Sequence, residues 1–221
     1  WSNSATLGPM PVADKVLSAA FASVSARTAG FNSIDIGAMT HESWAVHYFL
    51  MFVGGGSAGT AGGVKVGTVA ILALLIIAEI RGHNDSEAFG RRVGAPAQRQ
   101  AITVLVLASA VVVLGTLFIL RETDIPTDQV IFEVISAFGT AGLSTGITAD
   151  LPESSQLVLT VLMYIGRVGT ITLAASLAFM VLLPAGLDLP YATLLPAFLL
   201  ALGAGLALGT PGGMGAFEVT L

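Results

Sequence analysis

The hydrophobic residues of the chain fall into short and long apolar runs separated by polar stretches. Residues 14–25 and 128–138 are too short to cross a bilayer, which takes about 20 residues of helix. Residues 101–120 and 156–183 are long enough, and residues 44–80 are long enough but rich in glycine. The pattern predicts short re-entrant helices that alternate with membrane-spanning helices, which is an all-α transmembrane fold.

The sequence GGGSAGTAGG, residues 54–63, interrupts the apolar segment 44–80. Each glycine costs a helix about 1 kcal/mol relative to alanine, and irregular backbone at membrane depth is tolerated where it lines a cavity. We therefore expect two half-helices joined by a loop. A plain helix break is one alternative and a phosphate-binding loop is another. A phosphate-binding loop follows a strand and ends in GKS or GKT, and the GGVK of this chain fits neither condition.

A glycine-centred stretch follows each of the two short helices, ARTAGFNS at residues 26–33 and GTAGLST at residues 139–145. We name them the first and second TAG loops, because the tripeptide TAG recurs after 140 − 28 = 112 residues. MFVG at 51–54 and MYIG at 163–166 have the same spacing, which indicates an internal repeat. Extended backbone after a short helix can direct carbonyl oxygens at a cation, within the negative potential of the helix C-terminus. We predict that both loops line an ion pathway; a pair of ordinary interhelical turns is the alternative.

The composition indicates a membrane protein, because 54% of the residues are hydrophobic and 10% are charged, whereas soluble domains carry about 25% charged residues. Four of the nine Lys and Arg residues lie in residues 81–100, and the positive-inside rule places this basic loop in the cytoplasm. The chain has no cysteine, which excludes disulfides and Cys-based metal sites. The basic residues form no patch suited to nucleic acid, and no nucleophile–base constellation indicates an enzyme.

Four motifs, RTAGFNS, GGGSAGTAGGVK, GTAGLSTGIT and YIGRVGTIT, resemble those of the Trk/Ktr/HKT superfamily of potassium transporters, in the same order and spacing. Members of this superfamily have four pore units per chain, each with an outer helix, a pore helix, a filter and an inner helix. The resemblance implies a potassium-channel-like pore built from such pseudo-repeats. It makes residues 1–80 the third unit without its outer helix, with pore helix 14–25, filter 27–33, broken inner helix 44–80 and gate loop 54–64. It makes residues 101–183 the fourth unit, with outer helix 101–120, pore helix 128–138, filter 139–145 and inner helix 156–183, after the cytoplasmic loop 81–100.

The same resemblance implies which residues act on the ion. The filter residues, whose backbone carbonyls would bind K⁺, are Thr28, Ala29, Gly30, Phe31 and Asn32 in the third unit and Thr140, Ala141, Gly142, Leu143 and Ser144 in the fourth. The gate residues are Gly54, Gly55, Gly56, Ser57, Gly59, Thr60, Gly62, Gly63, Lys65 and Arg167. A charge in the middle of a span, as at Arg167, is expensive and indicates a function. We expect it to act as an electrostatic barrier to cations or as a hydrogen-bond donor to the gate loop.

The resemblance implies potassium uptake across the inner (cytoplasmic) membrane by a multi-pass protein that needs no cofactor, with Na⁺ or H⁺ coupling left open. It also implies a homodimer with a cytosolic nucleotide-binding regulatory subunit, for which loop 81–100 is the expected contact. The first two pore units are absent, so the sequence is expected to be part of a longer protein. The extra segment 184–221 supports an alternative, because residues 191–221 with PGGMGAFE resemble the membrane domain of lysyl-phosphatidylglycerol synthase/flippase proteins. That resemblance implies a lipid flippase or a lipid-modifying membrane domain.

Overall fold

A computed structural model of the chain describes residues 3, 5–56, 61–82, 87, 88 and 91–182. These residues are predominantly helical, as the hydrophobic pattern predicts. All contacts described below lie within the compact unit Trp1–Arg167. The helices are α1 (Val12–Ser25), α2 (His41–Phe52), α3 (Val66–Ile80), α4 (Ala95–Glu122), α5 (Thr127–Gly139) and α6 (Glu153–Leu182), with a short 3-10 helix at Ile147–Asp150 and two short antiparallel strands, β1 (Glu87–Ala88) and β2 (Arg91–Arg92).

Helix α5 is the centre of the described core. Phe132, Val130 and Val134 on this helix are fully buried, because α2 packs on one side of α5 and α4 on another. A helix that is buried on nearly all sides needs apolar residues all round, which is the pattern of residues 130–138 except for Glu133 and Ser136. The short apolar run is therefore a core helix that ends inside the protein.

Helices α2 and α5 lie side by side and run in the same direction. At their N-terminal ends the His41 imidazole lies 2.7 Å from the Asp128 carboxylate. At their C-terminal ends the rings of Phe52 and Phe138 stack with centroids 6.0 Å apart. Both helices therefore begin at one level and end together at another, where their last, unpaired carbonyl groups come together.

The apolar segment 44–80 is divided into α2 and α3 by the glycine-rich stretch. We name residues 54–64 the glycine loop, of which 57–60 lie outside the described residues. The base of the loop is closed by backbone hydrogen bonds, from Gly54 N to the Val64 carbonyl at 2.8 Å and from Val64 N to the Phe52 carbonyl at 3.0 Å. The chain thus leaves α2, makes an excursion and returns to the same place before α3 begins.

Helix α4 has the length and hydropathy of a membrane span, and it is the one such helix among the residues that were described in full. It contains the expected outer helix 101–120 and extends it at both ends. Its outward-facing side chains are apolar, among them Leu107 and Leu114, which are 60% and 66% exposed. Exposed apolar side chains along a long helix suit a hydrocarbon environment, so the fold and the composition both indicate an all-α membrane protein.

Candidate ion pathway

The two TAG loops lie face to face, although they are far apart in sequence. A Cβ atom added to Gly30 would lie 3.1 Å from the Ala141 carbonyl oxygen, and one added to Gly142 would lie 3.1 Å from the Gly30 Cα atom. The two backbones therefore approach as closely as van der Waals contact allows. Glycine at both positions permits this approach, since any side chain would push the loops apart.

The loops also have the same backbone conformation. Gly30 and Gly142 have positive φ angles of 76° and 81°, and Thr28 and Thr140 have positive φ angles of 71° and 50°. A positive φ is uncommon outside glycine and is an outlier for a β-branched residue such as threonine. Two such outliers at matching positions indicate that the repeat in sequence is a repeat in structure.

A buried serine ties each loop to the helix that precedes it. The Ser25 hydroxyl donates a hydrogen bond to the Phe31 carbonyl, and the Ser136 hydroxyl donates one to the Leu143 carbonyl at 2.5 Å. The carbonyls of Phe31 and Leu143 are thus directed towards their own short helices. The serines are 136 − 25 = 111 residues apart, one residue less than the spacing of the TAG motifs, so the repeat in sequence does not pair them.

The second TAG loop has an additional support, Glu133, which the sequence analysis missed. This side chain is 5% exposed in the middle of α5. Its Oε1 atom accepts hydrogen bonds from the Ser144 hydroxyl at 2.6 Å, the Thr145 N–H at 2.8 Å and the Thr145 hydroxyl at 3.1 Å. Its Oε2 atom accepts one from the Thr148 hydroxyl at 2.9 Å. The signal in the sequence was an acid within the apolar run VIFEVISAF.

The glycine loop contacts the start of the second TAG loop. The Gly62 N–H donates a hydrogen bond to the Thr140 hydroxyl, with 3.1 Å between nitrogen and oxygen. A Cβ atom added to Gly139 would lie 2.4 Å from the Met51 carbonyl oxygen, and one added to Gly63 would lie 2.9 Å from the Phe52 carbonyl oxygen. The end of α2, the glycine loop and the end of α5 are therefore packed backbone against backbone.

The two basic residues of the expected gate, Lys65 and Arg167, lie near the glycine loop. Lys65 is 8% exposed, and its ammonium group donates a hydrogen bond to the Ala61 carbonyl at 2.5 Å. Arg167 on α6 is close enough to Lys65 for the two like charges to interact. The preceding residue, Gly166, packs against the last turn of α5, where an added Cβ would lie 1.8 Å from the Phe138 carbonyl oxygen.

Some of the remaining gate residues are described by the structure and others are not. Gly54, Gly55 and Gly56 form the first side of the glycine loop, and a Cβ added to Gly54 would lie 2.0 Å from the Gly62 carbonyl oxygen. Ser57, Gly59 and Thr60 lie outside the described residues. The structure therefore brings together the base of the glycine loop, Lys65 and Arg167.

The electrostatics of the site come mainly from helix ends and backbone oxygens. Helices α1, α2 and α5 all end beside the TAG loops, and each C-terminus carries the equivalent of about half a negative charge on its unpaired carbonyls. Within the described ranges there is no group of three or more His, Cys, Asp or Glu side chains that could hold a metal ion.

Comparison with known families shows which family the chain belongs to. The model of the TrkH family, described as cation transport proteins, matches residues 2–187. The chain belongs to the TrkH family. This match includes both TAG loops and the glycine loop, and it ends before residues 191–221. The lipid-flippase resemblance therefore rests on residues outside the TrkH match and outside the described residues.

Several relatives of the chain are potassium uptake proteins by name. The chain is 38% identical to Ktr system potassium uptake protein B of Bacillus subtilis over 178 residues, which are 80% of this chain and 40% of that protein. It is 36% identical to the Vibrio alginolyticus protein of the same name, over 80% of this chain and 39% of that one. It is 38% identical to potassium/sodium uptake protein NtpJ of Enterococcus hirae, over 79% and 40%. The chain thus spans about two fifths of the length of these relatives.

Proposed function

We propose that the protein to which this chain belongs takes up potassium across the inner (cytoplasmic) membrane as a multi-pass transporter. Potassium is named for the relatives from Bacillus subtilis, Vibrio alginolyticus and Enterococcus hirae, and the last of these names includes sodium as well. The observation that carries the proposal is the close apposition of two TAG loops with matching left-handed residues at Thr28, Gly30, Thr140 and Gly142. A repeated loop of this kind suits one ion path shared by both units.

In this proposal the TAG loops are two of four filter segments. Their carbonyl oxygens replace part of the hydration shell of K⁺, except those of Phe31 and Leu143, which accept the serine hydroxyls. The C-terminal ends of the short helices favour the positive charge. Residues 27–33 and 139–145 supply two sides of the filter, as the third and fourth pore units. The other two sides come from pore units that lie outside this sequence.

The proposed gate is the glycine loop with Lys65 and Arg167. The loop lies against Gly139 and Thr140, the first two residues of the filter segment, and the Gly62 N–H donates a hydrogen bond to the Thr140 hydroxyl. In this position it obstructs an ion that leaves the filter, and the two cations beside it repel K⁺. Its glycines allow the backbone to rearrange at low steric cost, so the loop can move aside without unfolding α2 or α3.

The partners of this transporter are also proposals. Arg81, Arg92 and Arg99 are exposed in loop 81–100, where a cytosolic nucleotide-binding regulatory subunit would bind. The transporter would act as a homodimer. Transport by backbone oxygens needs no bound cofactor, and coupling to Na⁺ or H⁺ is open in this scheme.

The test is potassium-limited growth of an uptake-deficient bacterium that expresses the full-length protein. Gly30→Asp and Gly142→Asp place a charged side chain between loops where a Cβ alone would already be crowded, at 3.1 Å from the facing backbone, and both should abolish growth rescue. Gly82→Asp is a control for folding and membrane abundance alone, because Gly82 also has a positive φ of 67° and nothing within 4 Å of its added Cβ, but it lies in the loop proposed to bind the regulatory subunit. Normal rescue by both loop variants, at a membrane abundance equal to wild type, would refute the filter assignment.

A further inference from the structure

Glu133 is a buried carboxylate that accepts hydrogen bonds from one segment of the chain. Its two oxygens accept four hydrogen bonds, all from Ser144, Thr145 and Thr148. These residues form the end of the second TAG loop and the 3-10 helix after it. A charged side chain inside a membrane protein is expensive, and the four donors offset that cost. Glu133 therefore fixes this segment of chain to the middle of α5.

In the part of the chain that the structure describes, the first TAG loop has no corresponding carboxylate support. Glu133 lies three residues before Ser136, and the residue three before Ser25 is Ala22, whose methyl side chain accepts no hydrogen bond. The acid nearest in sequence to this loop, Asp35, accepts a hydrogen bond from its neighbour Gly37. Among the described contacts, the first loop is tied to its helix through Ser25 and the second through both Ser136 and Glu133. The two loops match in conformation and differ in how firmly they are held.

We propose that Glu133 is a positioning residue that sets the selectivity of the pathway for K⁺ over Na⁺. This inference rests on the proposed function. Sodium is smaller than potassium, so oxygens that bind Na⁺ closely have to move inward. Glu133 prevents the second TAG loop from moving inward, because it holds Ser144 and Thr145 at the outer end of the loop. Glu133 acts through the loop, since the donors of the loop use both of its oxygens.

Two substitutions at this position separate hydrogen bonding from charge. In Glu133→Gln the side-chain carbonyl can keep the three donors on Oε1, and the amide can donate to the Thr148 hydroxyl. Uncharged bonds are about half as strong as charge-assisted ones, so the Na⁺/K⁺ uptake ratio should stay within about threefold of wild type. Glu133→Leu keeps a side chain of similar size but removes every acceptor. Its Na⁺/K⁺ ratio should rise about tenfold, which corresponds to about 1.4 kcal/mol.

The experiment measures K⁺ and Na⁺ uptake by the full-length protein in proteoliposomes, at equal protein content. Glu122→Leu is the control, because Glu122 also accepts two serine hydroxyls, those of Ser154 and Ser155, but holds α4 to α6 away from the TAG loops. It should leave the ratio unchanged. Thr148→Val removes one of the four bonds of Glu133 and should raise the ratio less than Glu133→Leu does. It also carries the test if the leucine variant does not reach the membrane.

Each outcome decides between the proposals. An unchanged ratio in Glu133→Leu, or in Thr148→Val where only that variant is produced, overturns the role of Glu133 and leaves potassium uptake intact. An equal rise in Glu133→Gln and Glu133→Leu also overturns it, because the charge and not the hydrogen bonds would then be responsible. A wild-type protein that carries neither cation overturns the proposed function itself.

Discussion

The substitution Thr140→Val tests whether the glycine loop is held closed by the filter. Thr140 accepts a hydrogen bond from the Gly62 N–H at 3.1 Å while its backbone has a positive φ of 50°. Valine has nearly the same shape and the same branching at Cβ, so the strained backbone and the packing should persist. The one interaction that valine cannot make is the hydrogen bond to the glycine loop.

The size of the effect follows from the single bond that is lost. A neutral hydrogen bond contributes about 0.5–1.5 kcal/mol, and this energy stabilises the position in which the loop obstructs the pathway. Its loss should shift the equilibrium between obstructed and open states by about twofold to twelvefold. We expect basal K⁺ uptake by the purified full-length protein, without any regulatory subunit, to increase by a factor in this range.

The internal repeat supplies the control. Thr28 has the same residue type, the same place in its TAG loop and a positive φ of 71°, but the described part of the glycine loop donates no hydrogen bond to it. Thr28→Val should leave basal uptake unchanged in the same proteoliposome assay. Equal changes in both variants would mean that the hydroxyls act on the ion directly, and no change in Thr140→Val would mean that the bond does not hold the loop.

Two further substitutions test the packing and the serine ties. Gly166→Ala places a Cβ 1.8 Å from the Phe138 carbonyl oxygen. This clash should destabilise the protein by about 1–3 kcal/mol and lower its melting temperature in detergent. Gly56→Ala is the control, because its added Cβ has nothing within 4 Å, and it should leave the melting temperature unchanged. Ser136→Ala frees the Leu143 carbonyl and should lower K⁺/Na⁺ selectivity by about threefold, the equivalent of a bond of about 0.6 kcal/mol; the same selectivity in Ser136→Ala as in wild type would contradict this role of the serine.

The helices were predictable because their signals are local. Apolar runs such as residues 128–138 have a length that decides whether they can span a bilayer, and the glycine run 54–63 carries its own cost in a helix. The TAG repeat also pointed to two equivalent loops, and the structure brings them face to face. In each case the information lies in consecutive residues or in an identical tripeptide.

The interactions that hold the loops were not predictable from such signals. The bond between Gly62 and Thr140 joins residues 78 positions apart, and no pattern in either stretch names the other. The serine ties escape the repeat because their spacing differs from that of the TAG motifs by one residue. The sequence alone does not distinguish Glu133 from an exposed charge. Only the burial of α5 shows that its carboxylate requires hydrogen-bond donors.

The left-handed threonines have a consequence for anyone who engineers this protein. A non-glycine residue in this conformation costs about 1–2 kcal/mol, so Thr28→Gly and Thr140→Gly would both relieve strain. A thermostability screen would therefore favour glycine at these positions. It would select proteins that tolerate heat and detergent better. Thr140→Gly would, however, also remove the hydroxyl that accepts the hydrogen bond from Gly62 of the glycine loop. Variant libraries for this protein should keep positions 28 and 140 constant and draw added stability from elsewhere in the chain.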